Sequence, residues 1–226
     1  MSLHDVRYPN ESENYRARRN DLLEREVELR GQIECVAEMR RSLPLGGEVP
    51  RDYVFDESVG GATRQTNLSE LFADGRDSLL LYSFVYGPTW ERPCPMCTAF
   101  LDSLNGNARQ ITQRVNLAIV AKGPIDMVQA FADERGWTNL RMLSSATSSY
   151  NADYFTEEPD DEQEPALHTF VRREGKIHHY YASELFFVPF EKGHPRHLDL
   201  AWPLWALFDA TPDGRGEDWF PMIEYA

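Results

Sequence analysis

Two kinds of hydrophobic pattern divide the chain. From Asn10 to Arg41 apolar residues are sparse and recur near helical period, with Leu22, Leu29, Ile33, Val36 and Ala37 set among charges. This predicts one long helix, with Asn10 and Glu13 as a capping pair. Asp21 with Arg25, and Glu26 with Arg30, stand at i, i+4 in the favourable sense. The stripe reads as a packing face, against the same domain or a second copy of the chain. Cys35 sits on it and is expected as a small buried hydrophobe. Pro44 and Gly46-Gly47 end the segment.

Beyond it the apolar residues gather into short continuous runs separated by breakers. Asp52–Phe55 is a short strand candidate, Gly60-Gly61 a turn, and Thr66–Phe72 a short helical segment. Leu79–Tyr86 reads as a buried strand, stopped by Gly87-Pro88, and Phe100, Leu101 and Leu104 mark a helix that Gly106 is expected to end. Val115–Ala121 is a second buried strand. Pro124 opens a helix containing Met127, Val128 and Phe131 that stops at Gly136, and Leu140–Leu143 is a third strand. Tyr150–Glu164 is acidic and aperiodic, so it predicts a solvated surface loop or insert. Ala166–Val171 and Lys176–Tyr181 form a hairpin about Arg173-Glu174-Gly175. The apolar Glu184–Phe190 is suited to covering a sheet edge or a site mouth. Arg196–Asp209 suggests a helix started or kinked at Pro203, whose Trp202 and Trp205 cover the core, wall a pocket or form a dimer face.

Strands alternating with helices predict an α/β protein with a layered sheet and parallel neighbours. Three segments follow: a helical extension over 1–47, an α/β domain over 48–185 with its insert near 150–164, and a C-terminal extension over 186–226 packed on the core.

Composition narrows the function. The 226 residues carry a formal net charge of −14, which argues against nucleic acid or an anionic membrane as partner. Three cysteines exclude a disulfide-stapled secreted scaffold. No apolar run approaches the ~20 residues of a membrane span, and no signal-peptide core is seen, so the cytoplasm is the expected location.

Chemistry centres on Cys94-Pro95-Met96-Cys97, between a buried strand and a helix. A helix N-terminus offers unpaired N–H groups and a positive dipole end, which favour a thiolate over a thiol. Pro95 fits the first turn, where its missing N–H is no loss. Three readings remain open: a redox dithiol, half of a zinc site completed by histidines, and two buried structural thiols. His178 and His179 fall on alternate faces of one strand, so one metal does not easily take both. His168, His194 and His197 are expected at the surface or satisfied in the core.

These motifs together look like a thioredoxin-like fold of the thioredoxin and peroxiredoxin-related superfamily. More closely, the chain resembles the bacterial thioredoxin-like family known as domain of unknown function 899. The likeness is carried by Arg51–Phe55 (RDYVF), Tyr86-Gly87-Pro88-Thr89-Trp90, Cys94–Cys97, the charged N-terminal helix and the LFDATPDGRGEDW run at Leu207–Trp219.

The resemblance implies a thioredoxin-like central mixed sheet flanked by helices and a thiol–disulfide oxidoreductase. Cys94 would be the nucleophile and Cys97 the resolving thiol. Pro165 would match the cis-proline that faces the dithiol, a shaped site where backbone pairs with an extended substrate. Trp90, Glu164 and Pro165 are then the substrate-binding candidates. No organic cofactor is implied; the partners are disulfide- or thiol-containing proteins or small molecules. The alternatives are a non-catalytic binding or scaffold module and a Cys/His metal-binding protein. Thioredoxins place Trp directly before the first active Cys, whereas Trp90 stands four positions ahead of Cys94. Arg92 is placed to favour a thiolate at Cys94 and Glu91 to oppose it, and no buried acid is identifiable. The peroxiredoxin pattern P-x-x-x-T-x-x-C fits neither cysteine, since Glu91 and Gly87 stand where Cys94 would need Thr and Pro, and Cys94 and Trp90 where Cys97 would.

Overall fold

The computed structural model describes residues 3–157, 162–189, 198, 201–216 and 219–224. His194, His197 and Phe190, and much of the predicted 196–209 helix before Ala201, lie outside the described residues. The chain divides into two compact units, Met1–Pro44 and Leu45–Ala226.

The first unit is built on α1 (Glu13–Arg41). Its cap is Ser12, whose side chain accepts the Tyr15 N–H at 3.1 Å; Asn10 lies outside the helix in the left-handed region. Glu13 in the first turn and Arg40 and Arg41 in the last suit the helix dipole. The expected ion pairs re-sort: Arg25 pairs with Glu28 at 2.8 Å and Glu26 with Arg19 at 2.9 Å. Leu22, Leu29, Ile33, Val36 and Cys35 are exposed in the single chain, so the apolar stripe and the Cys35 thiol are not covered within their own unit.

The second unit is organised on a seven-stranded mixed sheet in the order β2-β1-β5-β4-β3-β6-β7. The strands are β1 (Val54–Val59), β2 (Ala62–Asn67), β3 (Ser78–Phe84), β4 (Asn116–Ala121), β5 (Met142–Ser144), β6 (Ala166–Arg173) and β7 (Lys176–Ala182). Parallel pairs β3–β4 and β4–β5 form the centre, and antiparallel hairpins complete each side. The helices are α2 (Pro95–Ile111), α3 (Ile125–Arg135), the single turn α4 (Tyr150–Asp153) and α5 (Pro203–Asp209). β2 escapes the sequence pattern because its ATRQTN run is polar and mostly exposed. Gly60 and Gly61 both take positive φ, as the two-residue turn joining β1 and β2 requires. The segment before β3 forms only a 3-10 turn, Leu68–Leu71, boxed by Asn67 and Glu70. Gly106 does not stop α2; the helix runs five residues further, since an interior glycine costs only about 1 kcal/mol.

Strand alternation builds two cores. Leu79, Leu81, Ala118, Val120 and Phe170 face one side with Phe55, Leu68 and Tyr150. Tyr82, Phe84, Ile119 and Ala121 face the other with Phe100 and Leu101 of α2, Val128 and Phe131 of α3, and Trp202 and Trp205. Each large side chain so buried is worth roughly 1.5–3 kcal/mol. Asn116 fixes the entry to β3: its side chain accepts from Ala73 N–H and donates to the Arg76 and Ser78 carbonyls, all at 3.0 Å.

The acidic stretch after β5 is not simply a solvated loop. Tyr150, Asn151, Thr156 and Gln163 are buried. Tyr53 donates to Asp153 at 2.8 Å, and Lys122 pairs with Glu157 at 2.8 Å, so polar anchors hold a segment that lacks periodicity. Residues Gly46–Val49 run along β7, with Val49 N–H on the Ile177 carbonyl at 2.9 Å and His179 N–H on Gly47 at 3.0 Å. A Cβ at Gly46 would lie 2.3 Å from the His179 carbonyl oxygen, so this approach needs glycine.

His168 and His179 meet on the Tyr150 side of the sheet, Nδ1 to Nε2 at 3.1 Å. Burial, with the neighbouring His179, pushes His168 down to about 3, and burial lowers His179 too, so both rings are neutral. Below the ordinary value of 6.5 the unfolded chain takes up protons that the folded chain refuses. Stability therefore falls as pH drops from 6.5 towards about 3. His168→Phe should flatten this slope relative to wild type in urea denaturation at a series of pH values; an unchanged slope would show that the pair does not titrate in this way.

Candidate functional site

β3 delivers the chain to the site. After Phe84, Val85 and Tyr86 remain buried, and the chain turns at Gly87, whose carbonyl accepts the Trp90 N–H at 3.2 Å. Cys94 N–H then returns to the Val85 carbonyl at 3.0 Å, which sets the start of α2 against the end of β3. Gly123 N–H binds the Tyr86 carbonyl at 2.8 Å and fixes the end of β4 beside it. Cys94 is the N-cap of α2 and Pro95 its first residue. Thr98 secures the cap, its N–H and hydroxyl both donating to the Cys94 carbonyl at 3.0 and 2.9 Å.

The two thiols are free and differ sharply. Cys94 is half-buried and Cys97 is buried. Cys94 is held at about 6, below the ordinary 9.0, chiefly because the Cys97 side chain hydrogen-bonds to it. Partial burial opposes this, the backbone N–H groups of Cys97 and Met96 assist, and the Glu164 carboxylate opposes. Burial pushes Cys97 well above the ordinary value, and its bond to Cys94 adds to the rise. The Tyr82 hydroxyl and the Val85 N–H partly offset it. The two thiols are thus pushed apart: Cys94 is the one that ionises, and Cys97, buried beside Tyr82, is the one that keeps its proton.

A pocket of about 250 Å³ opens beside these sulfurs. Tyr82, Met96, Pro165, Phe186 and Trp202 line it with both cysteines, and Glu164 joins them. Of the predicted binding residues, Glu164 and Pro165 reach the site. Trp90 is half-buried and packs on the core of that face instead. The Glu164–Pro165 bond is trans, which corrects the cis expectation; no described peptide bond is cis. Arg92 is taken by Glu134, with two hydrogen bonds of 2.9 and 2.7 Å, and lies over the Phe131 ring. The cap and the Cys97 thiol, rather than Arg92, stabilise the Cys94 thiolate.

Sequence reasoning missed Tyr82; its signal was the strand alternation that puts it on the same face as Phe84. Among the described residues no group of three or more His, Cys, Asp or Glu side chains could hold a metal ion. The His168–His179 pair belongs to the opposite face of the sheet from the cysteines. No helix among the described residues is long and apolar enough to cross a membrane.

A mixed sheet whose interior strand β3 leads into a CxxC-capped helix, with a parallel strand on one side and an antiparallel hairpin on the other, defines a thioredoxin-like α/β protein. The chain belongs to the family described as "Bacterial protein of unknown function (DUF899)", which matches residues 5–225. No curated protein matches it. Among solved structures it is similar to reduced Prx3 of Vibrio vulnificus in complex with H2O2, at 14% identity and a TM-score of 0.46, over 70% of this chain and 98% of that one. Thioredoxin peroxidase I of Plasmodium yoelii matches at 14% and 0.46, over 70% and 86%. Peroxiredoxin Q of Xanthomonas campestris matches at 15% and 0.42, over 57% and 78%.

Iodoacetamide should alkylate Cys94 with a rate that rises through about pH 6. Cys97→Ala removes the hydrogen-bond donor and should move that midpoint upward. A midpoint near 9.0 in the wild type, or no movement in the variant, contradicts this separation of the two thiols.

Proposed function

We propose that this protein is a thiol–disulfide oxidoreductase whose working dithiol is Cys94 and Cys97. The observation that carries this reading is the asymmetry of the pair. Cys94 is half-buried at the helix N-terminus and held low, while Cys97, one turn on, is buried and held high. A thiolate near the ambient pH is both populated and nucleophilic, which is the optimum for exchange.

Cys94 S⁻ attacks one sulfur of a substrate disulfide. The substrate S–S bond breaks, a Cys94–S bond forms, and the departing thiolate takes up a proton. In the mixed disulfide the Cys94 charge is gone, so its share of the rise at Cys97 disappears, burial remains, and Cys97 gives up its proton more readily than before. Cys97 then attacks Cys94, the Cys94–Cys97 bond forms, and the second substrate thiol leaves with a proton. The protein loses two electrons and the substrate gains two. An external dithiol protein or small thiol restores the reduced pair.

Cys94→Ser should reduce turnover of a model disulfide to the uncatalysed rate. Cys97→Ser should stop at a mixed disulfide on Cys94, visible as a mass adduct that a reductant removes. Wild-type turnover in both variants would overturn the reading.

A further inference from the structure

The pocket at Cys94 differs from an open groove. Tyr82, Met96 and Phe100 of β3 and α2 line it together with Phe186 and Trp202, from the chain beyond β7. About 250 Å³ is smaller than the roughly 300–1,000 Å³ of sites for drug-sized molecules. It fits a side group of a few carbon atoms. The amide of Gln163 and the indole N–H of Trp202 belong to lining residues, yet both are sealed from solvent. An arriving group therefore meets carbon surface and the Glu164 carboxylate. The net charge of −14 repels anions further.

Resting on the oxidoreductase reading, we infer that the substrate is a small disulfide whose sulfur nearest Cys94 carries an apolar, non-anionic substituent, which Phe186 and Trp202 hold in the pocket. Once Cys94 has attacked, that substituent stays in the pocket as the mixed disulfide. The other thiol leaves toward solvent.

The test uses three 2-pyridyl disulfides that share one leaving group and carry n-butyl, 2-aminoethyl or 2-carboxyethyl on the other sulfur. Cys94 attacks the alkyl-bearing sulfur and 2-thiopyridone is released, so its absorbance reports the first step. The reduced full-length protein is mixed with each at about pH 8, above the Cys94 titration, and each rate is divided by that of free 2-mercaptoethanol with the same reagent. The normalised butyl rate should exceed the carboxyethyl rate by about tenfold or more, the worth of burying two methylene groups. Phe186→Ala should shrink that ratio severalfold. This residue is only half-buried, so the variant is expected to fold, and Trp202→Phe supplies a milder second change. Glu164→Gln should raise the carboxyethyl rate relative to butyl. Equal normalised rates for all three reagents, or ratios untouched by Phe186→Ala and Glu164→Gln, overturn the pocket assignment and leave the oxidoreductase reading standing. Release no faster than from 2-mercaptoethanol with every reagent overturns both.

Discussion

The unequal burial of Cys94 and Cys97, held side by side at the start of α2, is the constraint on which the site depends. The two sulfurs sit in different surroundings one helical turn apart. Cys97 is buried in the core of the α2 face and resists ionisation, so it keeps its proton and can donate it. Cys94 caps α2 and meets backbone N–H groups, so it bears the charge. Glu164 limits how far the charge is favoured.

That asymmetry is a product of the sheet. β3 is buried along nearly its whole length between β4 and β6, and its alternation sends Tyr82 toward the cysteines and Leu81 toward the opposite core. The same alternation keeps the His168–His179 pair on the far side. The protein thus holds two buried titratable clusters on the two faces of one sheet. The thiol cluster opens to a pocket, while burial keeps the histidine pair neutral.

The sequence reading succeeded where one local rule decides. The buried strands before and after the CxxC motif are continuous apolar runs, and Gly136 ends α3 in the left-handed conformation. It failed where distant contacts decide. The polar β2 is a strand because it pairs with β1. Gly106 lies inside a helix because packing of α2 outweighs one glycine. Thr156 and Gln163 are buried within an acidic stretch that has no period to betray it. Motif and order were enough to single out Cys94, Cys97, Glu164 and Pro165, which line one pocket. Where Trp90 and Arg92 come to rest was not legible: after the turn at Gly87 the half-buried Trp90 ring packs against the core of the α2 face, and Arg92 finds Glu134 from another helix.

The most direct measurement is a redox titration of the purified protein in thiol–disulfide buffers, with mass spectrometry locating the bond. The account predicts one reversible two-electron transition that converts free Cys94 and Cys97 into a Cys94–Cys97 disulfide, with Cys35 taking no part. Thiols that never pair across the titration, or that pair only after unfolding, would contradict it.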